Sequence, residues 1–355
     1  MKKAIHGCLL CLPLLLSAVL LCACQKNAYT EHDFFAMDTY VSVKANGASN
    51  KELKSVQALV ESLEKTYSRT DPASEICRIN TSDVTSVSAP CAALLNRAFQ
   101  AAEITNGTFQ PCLGALTELW DITGEKHLPT DDEIAAVLPY TACDMFEISG
   151  TTVTKKDARA KLDLGAAVKG YAAEEALRLL QKCGIGDAMI SLGGNIAVCG
   201  NAENRRDGWL IGVRSPYFPE TLALTFSCTD RVIAVSGDYE RYFEKDGVRY
   251  HHIFDSSTGK PARSGLRSTV VIAKDGFVSD MLSTALFVMG AEKAAAFYES
   301  GVYDFEAVLF ADDGTVFATD GIMENLFLVT DAKTENGTPL SLMPLTKNEK
   351  THIFR

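Results

Sequence analysis

The stretch Leu162-Asp163-Leu164-Gly165-Ala166-Ala167-Val168-Lys169-Gly170-Tyr171-Ala172-Ala173-Glu174 constrains this chain more than any other. Residues 144–163 read as a β-hairpin around Gly150 that delivers Asp163. Asp163, held between two leucines, leads into a turn at Gly165. A helix is expected from about Ala167 to Cys183, stopped by Gly184. Lys169 and Gly170 then lie at the mouth of that helix. Small residues let a backbone come close to a ligand, and the free N–H groups of a helix start suit an anion. The fold must therefore bring a strand end, a tight loop and a helix N-terminus to one point.

The rest of the pattern mixes strands and helices. Phe35 to Val43 alternates as a strand. Asn50 caps a helix from Lys51 to about Ser68, with Leu53, Val56, Leu59, Val60 and Leu63 on one face. Ser68 to Glu75 reads as a polar turn, Ser88 to Thr105 as a second amphipathic helix, and Thr130 to Glu133 as a capping box. Strands are expected near 187–192, 208–214, 222–228 and 231–236, with a hairpin over 239–254 turning at Asp246-Gly247. A strand at 268–274, a helix from about Ser279 and a closing hairpin near 304–310 and 315–319 complete the chain. No regular βαβ period appears. The pattern implies an α+β fold, a single large two-lobed domain with mixed or antiparallel sheets flanked by helices.

The net charge of −11 over 355 residues, with no basic cluster, argues against nucleic-acid binding. The N-terminus reads as a targeting segment, with Lys2 and Lys3 ahead of an apolar run from Leu9 to Leu21. Leu21-Cys22-Ala23-Cys24 has the form of a lipobox, so residues 1–23 are expected to be a lipoprotein signal peptide and Cys24 the lipidated first residue of the mature chain. The chain would then be anchored by lipid to the cell membrane on its extracytoplasmic face. Residues 24–33 would be lipidated Cys and tether, and 331–355 a C-terminal tail. Of eleven cysteines, seven lie beyond Cys24, widely spaced and without a CxxC, which is neither a disulfide framework nor a zinc site.

Asp280 and Thr284 are four apart on an expected helix and face the same way, as hard oxygen ligands for Mg²⁺ would. The alternative makes Ser279 the N-cap and Asp280 a first-turn partner of the helix dipole. Adjacent histidines in a strand point to opposite faces, so at most one of His251 and His252 faces a site. Met37, taken alone, reads as core.

Three further segments follow the Asp163 loop in order. They are Ser191-Leu192-Gly193-Gly194-Asn195-Ile196; Ser236-Gly237-Asp238-Tyr239-Glu240-Arg241, continuing through His252-Ile253-Phe254-Asp255-Ser256-Ser257-Thr258-Gly259; and Ser279-Asp280-Met281-Leu282-Ser283-Thr284. In this order and spacing the chain resembles the FAD:protein FMN transferase (ApbE) family over residues 34–330. The resemblance implies a flavin transferase domain that moves FMN from FAD to a threonine hydroxyl of an acceptor flavoprotein and releases AMP. FAD would be the substrate and Mg²⁺ the cofactor. The acceptor would carry an Asp-Gly-x-Thr-Gly-Ala-Thr-like motif.

Residue by residue, the resemblance places Mg²⁺ on Asp280, Thr284 and the main-chain oxygen of Ala166. Asp163 falls at the flavin or adenine portion of FAD, and Lys169 near the phosphates. His252 becomes the candidate general base or phosphate stabiliser. Met37, Thr70, Thr108, Phe109, Gln110 and Phe254 match positions that line the FAD site. Several positions depart from the family pattern: Asp38 stands for Gly, Gln110 for Asp, Cys112 for Thr, Ser283 for an Asp found in some members, and Thr70 for an aromatic contact. Two alternatives use the same residues: a pyrophosphatase cutting FAD to FMN and AMP, and a non-catalytic flavin-binding lipoprotein.

Overall fold

A computed structural model describes residues 29–346. The expected signal peptide and Cys24 lie outside the described residues. The architecture is α+β, built on a nine-stranded sheet whose spatial order is also its sequence order. Its strands are β1 (Tyr29–Ala36), β2 (Thr39–Asn46), β3 (Ala188–Leu192), β4 (Asn195–Cys199), β5 (Arg231–Gly237), β6 (Leu266–Ala273), β7 (Phe305–Ala311), β8 (Thr315–Ala318) and β9 (Ser341–Pro344). Neighbours pair antiparallel except β8 with β9.

Helices α1 (Asn50–Tyr67), α2 (Ala89–Ile104), α3 (Val168–Lys182) and α4 (Gly276–Glu299, kinked at Gly290 with φ 75°) are the long ones. Val41, Val43 and Ala45 of β2 turn inward at period two and meet Leu53, Val56 and Val60 of α1 with Ala172, Ala173 and Ala176 of α3. On the other face, Ile233, Val270, Ile272, Val308 and Phe310 pack against Trp209, Ile211, Leu224 and Phe226 of a three-stranded sheet. The central strand β6 is therefore buried on both faces and reads as an almost unbroken apolar run.

Several expectations shift. The strand drawn over 35–43 is a hairpin: Met37 and Asp38 take φ of 53° and 57° and turn β1 into β2. No glycine marks this turn, which is why it reads as continuous strand. Tyr29–Asp33, within the segment expected to be a tether, pair with Ser42–Asn46 as part of β1. Likewise 331–355 is not all tail: Ser341–Pro344 add a strand beside β8. Ser49, not Asn50, caps α1, through a capping box with Glu52. Asp275, not Ser279, caps α4. Ser279 lies one turn inside, buried, and donates to the carbonyls of Val232 and Val271. Among the described residues no helix is long and apolar enough to cross a membrane.

Candidate active site

The site grows from the crossing of α3 and α4. A Cβ on Gly170 would stand 2.2 Å from the Gly276 carbonyl oxygen, and one on Gly276 would stand 2.1 Å from that of Gly170. Only glycines let these two backbones touch. The contact lets each helix cap the other. Ala167 precedes α3 and supplies no side-chain cap. Instead Asp280 Oδ2, from α4, accepts from the free first-turn N–H of Gly170 at 2.8 Å. In return Glu174 Oε2, from α3, accepts from Gly276 N at 2.8 Å, while its other oxygen pairs with Arg178. Asp280 is thus neither a partner of its own helix dipole nor a surface carboxylate. It is 5% exposed.

Burial raises the Asp280 carboxyl above the ordinary range, against the pull of Lys169 and its two hydrogen bonds. Its Oδ1 faces Asn195 Nδ2 at 3.4 Å. The two-residue turn at Gly193-Gly194 (φ 54° and 91°) puts Asn195 at the head of β4, pointing inward and 2% exposed. The amide oxygen of Asn195 is buried without a hydrogen-bond partner among the described residues. Flipping the amide would set two oxygens face to face, so Asp280 fixes its orientation. A buried carboxylate and an unpaired amide oxygen, both hard donors, suit a divalent cation such as Mg²⁺. Further along α4, Thr284 Oγ1 lies 3.2 Å from Ser236 Oγ, which also bonds Ser283 Oγ at 2.8 Å. Ser283 Oγ donates back to the Asp280 carbonyl at 2.7 Å, so this residue braces the helix.

Lys169 Nζ reaches back to the Gly165 carbonyl at 2.6 Å, across the loop that holds Ala166. Its charge acts on both Asp280 and His252, which joins the three into one electrostatic site. The strand Val248–His251 ends at the first histidine, and the two histidines divide between core and site. His251 is buried: Nε2 donates to Ala262 O at 3.0 Å, Nδ1 accepts from Ile253 N, and Phe287 meets the ring edge-on. His252 is half-buried, with Nδ1 3.2 Å from Arg241 O. A carbonyl only accepts, so the proton sits on Nδ1 and Nε2 keeps its lone pair. Desolvation, then the Arg241 charge, hold this imidazole below the ordinary histidine range and therefore neutral at pH 7. The ring's protein surroundings cause the shift, while its half-exposed edge still meets solvent.

Other assigned residues fall less simply. Asp163 spends its oxygens inside the protein: Oδ1 accepts from Gly165 N at 2.9 Å, and Oδ2 accepts from Thr117 Oγ1 at 3.0 Å and pairs with Arg69 Nε at 3.4 Å. It shapes the loop and ties the Arg69-Thr70 segment beside it. Thr70 is exposed there. Met37 is half-buried where two cores meet, and Asp38 next to it pairs with Arg241 at 3.3 Å. Thr108 donates to Thr105 O at 2.8 Å, and Gln110 Oε1 accepts from Cys112 N and from Cys143 Sγ. Phe109 and Phe254 are both buried. Phe109 is 1% exposed and packs edge-on against Phe277, while Phe254 packs on Trp120. Asn195, Ser236, Arg69 and Arg241 join the site without having been assigned to it; only the Gly193-Gly194 pair signalled that Asn195 would point inward.

The ApbE family model matches residues 37–309. An FAD:protein FMN transferase of Treponema pallidum is 36% identical over 68% of this chain and 70% of its own, and one of Vibrio cholerae is 31% identical over 84% and 93%. The crystal structure of the ApbE protein from Thermotoga maritima superposes with a TM-score of 0.77 at 30% identity, covering 84% of this chain and 99% of that one. A mutant of the Vibrio cholerae flavin transferase ApbE superposes with a TM-score of 0.75 at 28% identity, covering 84% and 99%.

Proposed function

The chain belongs to the ApbE family, and we propose that it works as an FAD:protein FMN transferase that uses Mg²⁺ and a threonine hydroxyl of an acceptor flavoprotein. The observation that carries the metal is the buried Asp280 carboxylate beside the unpaired Asn195 oxygen. Asp280, Thr284 and the Ala166 carbonyl would hold the ion. Bound there, Mg²⁺ would neutralise charge on the FAD pyrophosphate and act as a Lewis acid.

The protein's own part is positioning and proton handling. Lys169 adds a point charge for the pyrophosphate. His252 Nε2, bare because Nδ1 holds the proton, accepts the threonine hydroxyl proton. The threonine oxygen forms a bond to the FMN-side phosphorus, the pyrophosphate oxygen bond breaks, and AMP leaves. A neutral histidine below its usual range is a weak base, which suits late proton transfer in a loose phosphoryl-transfer transition state. The Asp-Gly-x-Thr-Gly-Ala-Thr-like acceptor motif and acylation of Cys24 at the outer face of the cell membrane belong to the same reading. An anchored enzyme would meet membrane and exported flavoproteins.

The test incubates the protein with FAD, Mg²⁺ and an acceptor bearing the motif. Metal-dependent flavin fluorescence that stays with the acceptor on a denaturing gel supports transfer. AMP release without an adduct would indicate a pyrophosphatase, and neither product would indicate a flavin binder.

A further inference from the structure

The seven cysteines in the described residues are all free thiols, yet two of them touch. Cys112 Sγ and Cys143 Sγ are 3.6 Å apart, and Cys143 Sγ also donates to Gln110 Oε1 at 3.1 Å. They come from different parts of the chain. Cys112 follows the Phe109-Gln110-Pro111 segment and is fully buried, whereas Cys143 opens a short 3-10 turn (Cys143–Met145) and is half-buried. Cys143, Gln110 and Gly107 line one wall of an open cavity of about 520 Å³, which gives a small oxidant access to Cys143. Buried thiols commonly act as small apolar groups. This pair differs, because its sulfurs already touch at 3.6 Å and need to close to about 2.05 Å to bond.

We propose that Cys112 and Cys143 are a redox modification site, closing to a reversible disulfide that fastens the Gln110 segment to the 143–145 turn. The reaction is thiol–disulfide exchange with a small-molecule or protein disulfide. The Cys143 thiolate attacks one sulfur of the oxidant, forming a mixed disulfide and releasing one thiol. The Cys112 sulfur then attacks Cys143 Sγ and releases the second thiol. Two protein thiols are oxidised, one disulfide is reduced to two thiols, and both thiol protons end on the released thiols. The order follows from access: Cys143 is reachable, whereas burial pushes the Cys112 thiol well up, so it serves as the resolving group. The bond would also remove the S–H that Gln110 now accepts.

The test treats the reduced full chain with oxidised glutathione, alkylates remaining thiols and maps peptides by mass. The expected result is one cross-linked peptide pair containing Cys112 and Cys143, with Cys77, Cys91, Cys199 and Cys228 alkylated after unfolding. The unfolding midpoint should rise by roughly 5 °C, since the bridge closes a loop of some thirty residues, and should fall back with dithiothreitol. Cys143→Ser, at a half-exposed position, should abolish both effects. Exposed Cys183 reports that the oxidant is active. A glutathione adduct that stays on Cys143, no reaction at either thiol while Cys183 reacts, or a bridge without a rise in the midpoint would overturn the proposal.

Discussion

Gly170→Ala is the smallest change that should break the site. The new Cβ would lie 2.2 Å from the Gly276 carbonyl oxygen and 2.7 Å from Asp280 Cβ. Carbon–oxygen and carbon–carbon contacts need well over 3 Å, so α3 and α4 must part by about 1 Å. Overpacking of this kind costs about 1–3 kcal/mol. Parting the helices also stretches the 2.8 Å bond between Gly170 N and Asp280, and an unmet buried donor costs about 1–3 kcal/mol. Alanine's better helix propensity returns about 1 kcal/mol. The net expectation is a loss of about 3 kcal/mol in urea unfolding, together with loss of transfer activity, because Asp280 moves with α4. Gly186→Ala is the control: nothing lies within 4 Å of its Cβ, and its change should stay within about 0.5 kcal/mol. A Gly170→Ala protein as stable and as active as the parent would refute the reciprocal-capping account.

Three further outcomes follow from named groups. His252→Ala should slow transfer by roughly a hundredfold while FAD affinity, read by flavin fluorescence quenching, stays near the parent's; an unchanged rate removes His252 from the proton path. His251 is held at about 4 against an ordinary 6.5, chiefly by burial. The unfolded chain binds its proton first, so stability is full above pH 6.5 and falls by about 3 kcal/mol as pH drops toward 4. Urea unfolding at pH 7 and pH 4.5 should show a smaller pH dependence in His251→Gln, and equal slopes would count against that burial effect. Asp38→Gly removes a left-handed residue from the β1–β2 turn and loses only an exposed ion pair with Arg241, so it should stabilise by about 0.5 kcal/mol; a destabilised variant would show that Arg241 needs the pair.

What was legible in the sequence had local causes. The helix stopped by Gly184, the Thr130–Glu133 capping box and the Asp246-Gly247 hairpin turn each carry their signal within a few residues, and each stands where it was expected. The Met37-Asp38 turn was hidden because residues that usually avoid positive φ occupy it. The last strand was hidden because β9 is an edge strand whose partner, β8, lies well before it in the chain. In the site, the expectation that at most one of His251 and His252 faces it rested on strand period, yet the strand ends at His251 and His252 lies just past it. The role of Asp280 was not legible, because it caps a helix 110 positions earlier in the chain and faces an asparagine from β4. The packing of Phe109 on Phe277 and of Phe254 on Trp120 joins distant segments and is visible only in the assembled core.

The central claim is that the Asp280 carboxylate, buried beside Asn195 and Lys169, is where the metal-dependent transfer is held. Asp280→Asn keeps the size and an oxygen for Gly170 N and removes the charge that burial disfavours, but sets its NH₂ against Asn195 Nδ2, so the fold should stay within about 1–3 kcal/mol of the parent. Intact mass of an acceptor incubated with FAD and Mg²⁺ reads the chemistry directly. The account predicts full conversion to the FMN adduct with the parent and at least about a hundredfold slower conversion with Asp280→Asn. Parent-like conversion by a folded Asp280→Asn protein at ordinary Mg²⁺ would contradict it.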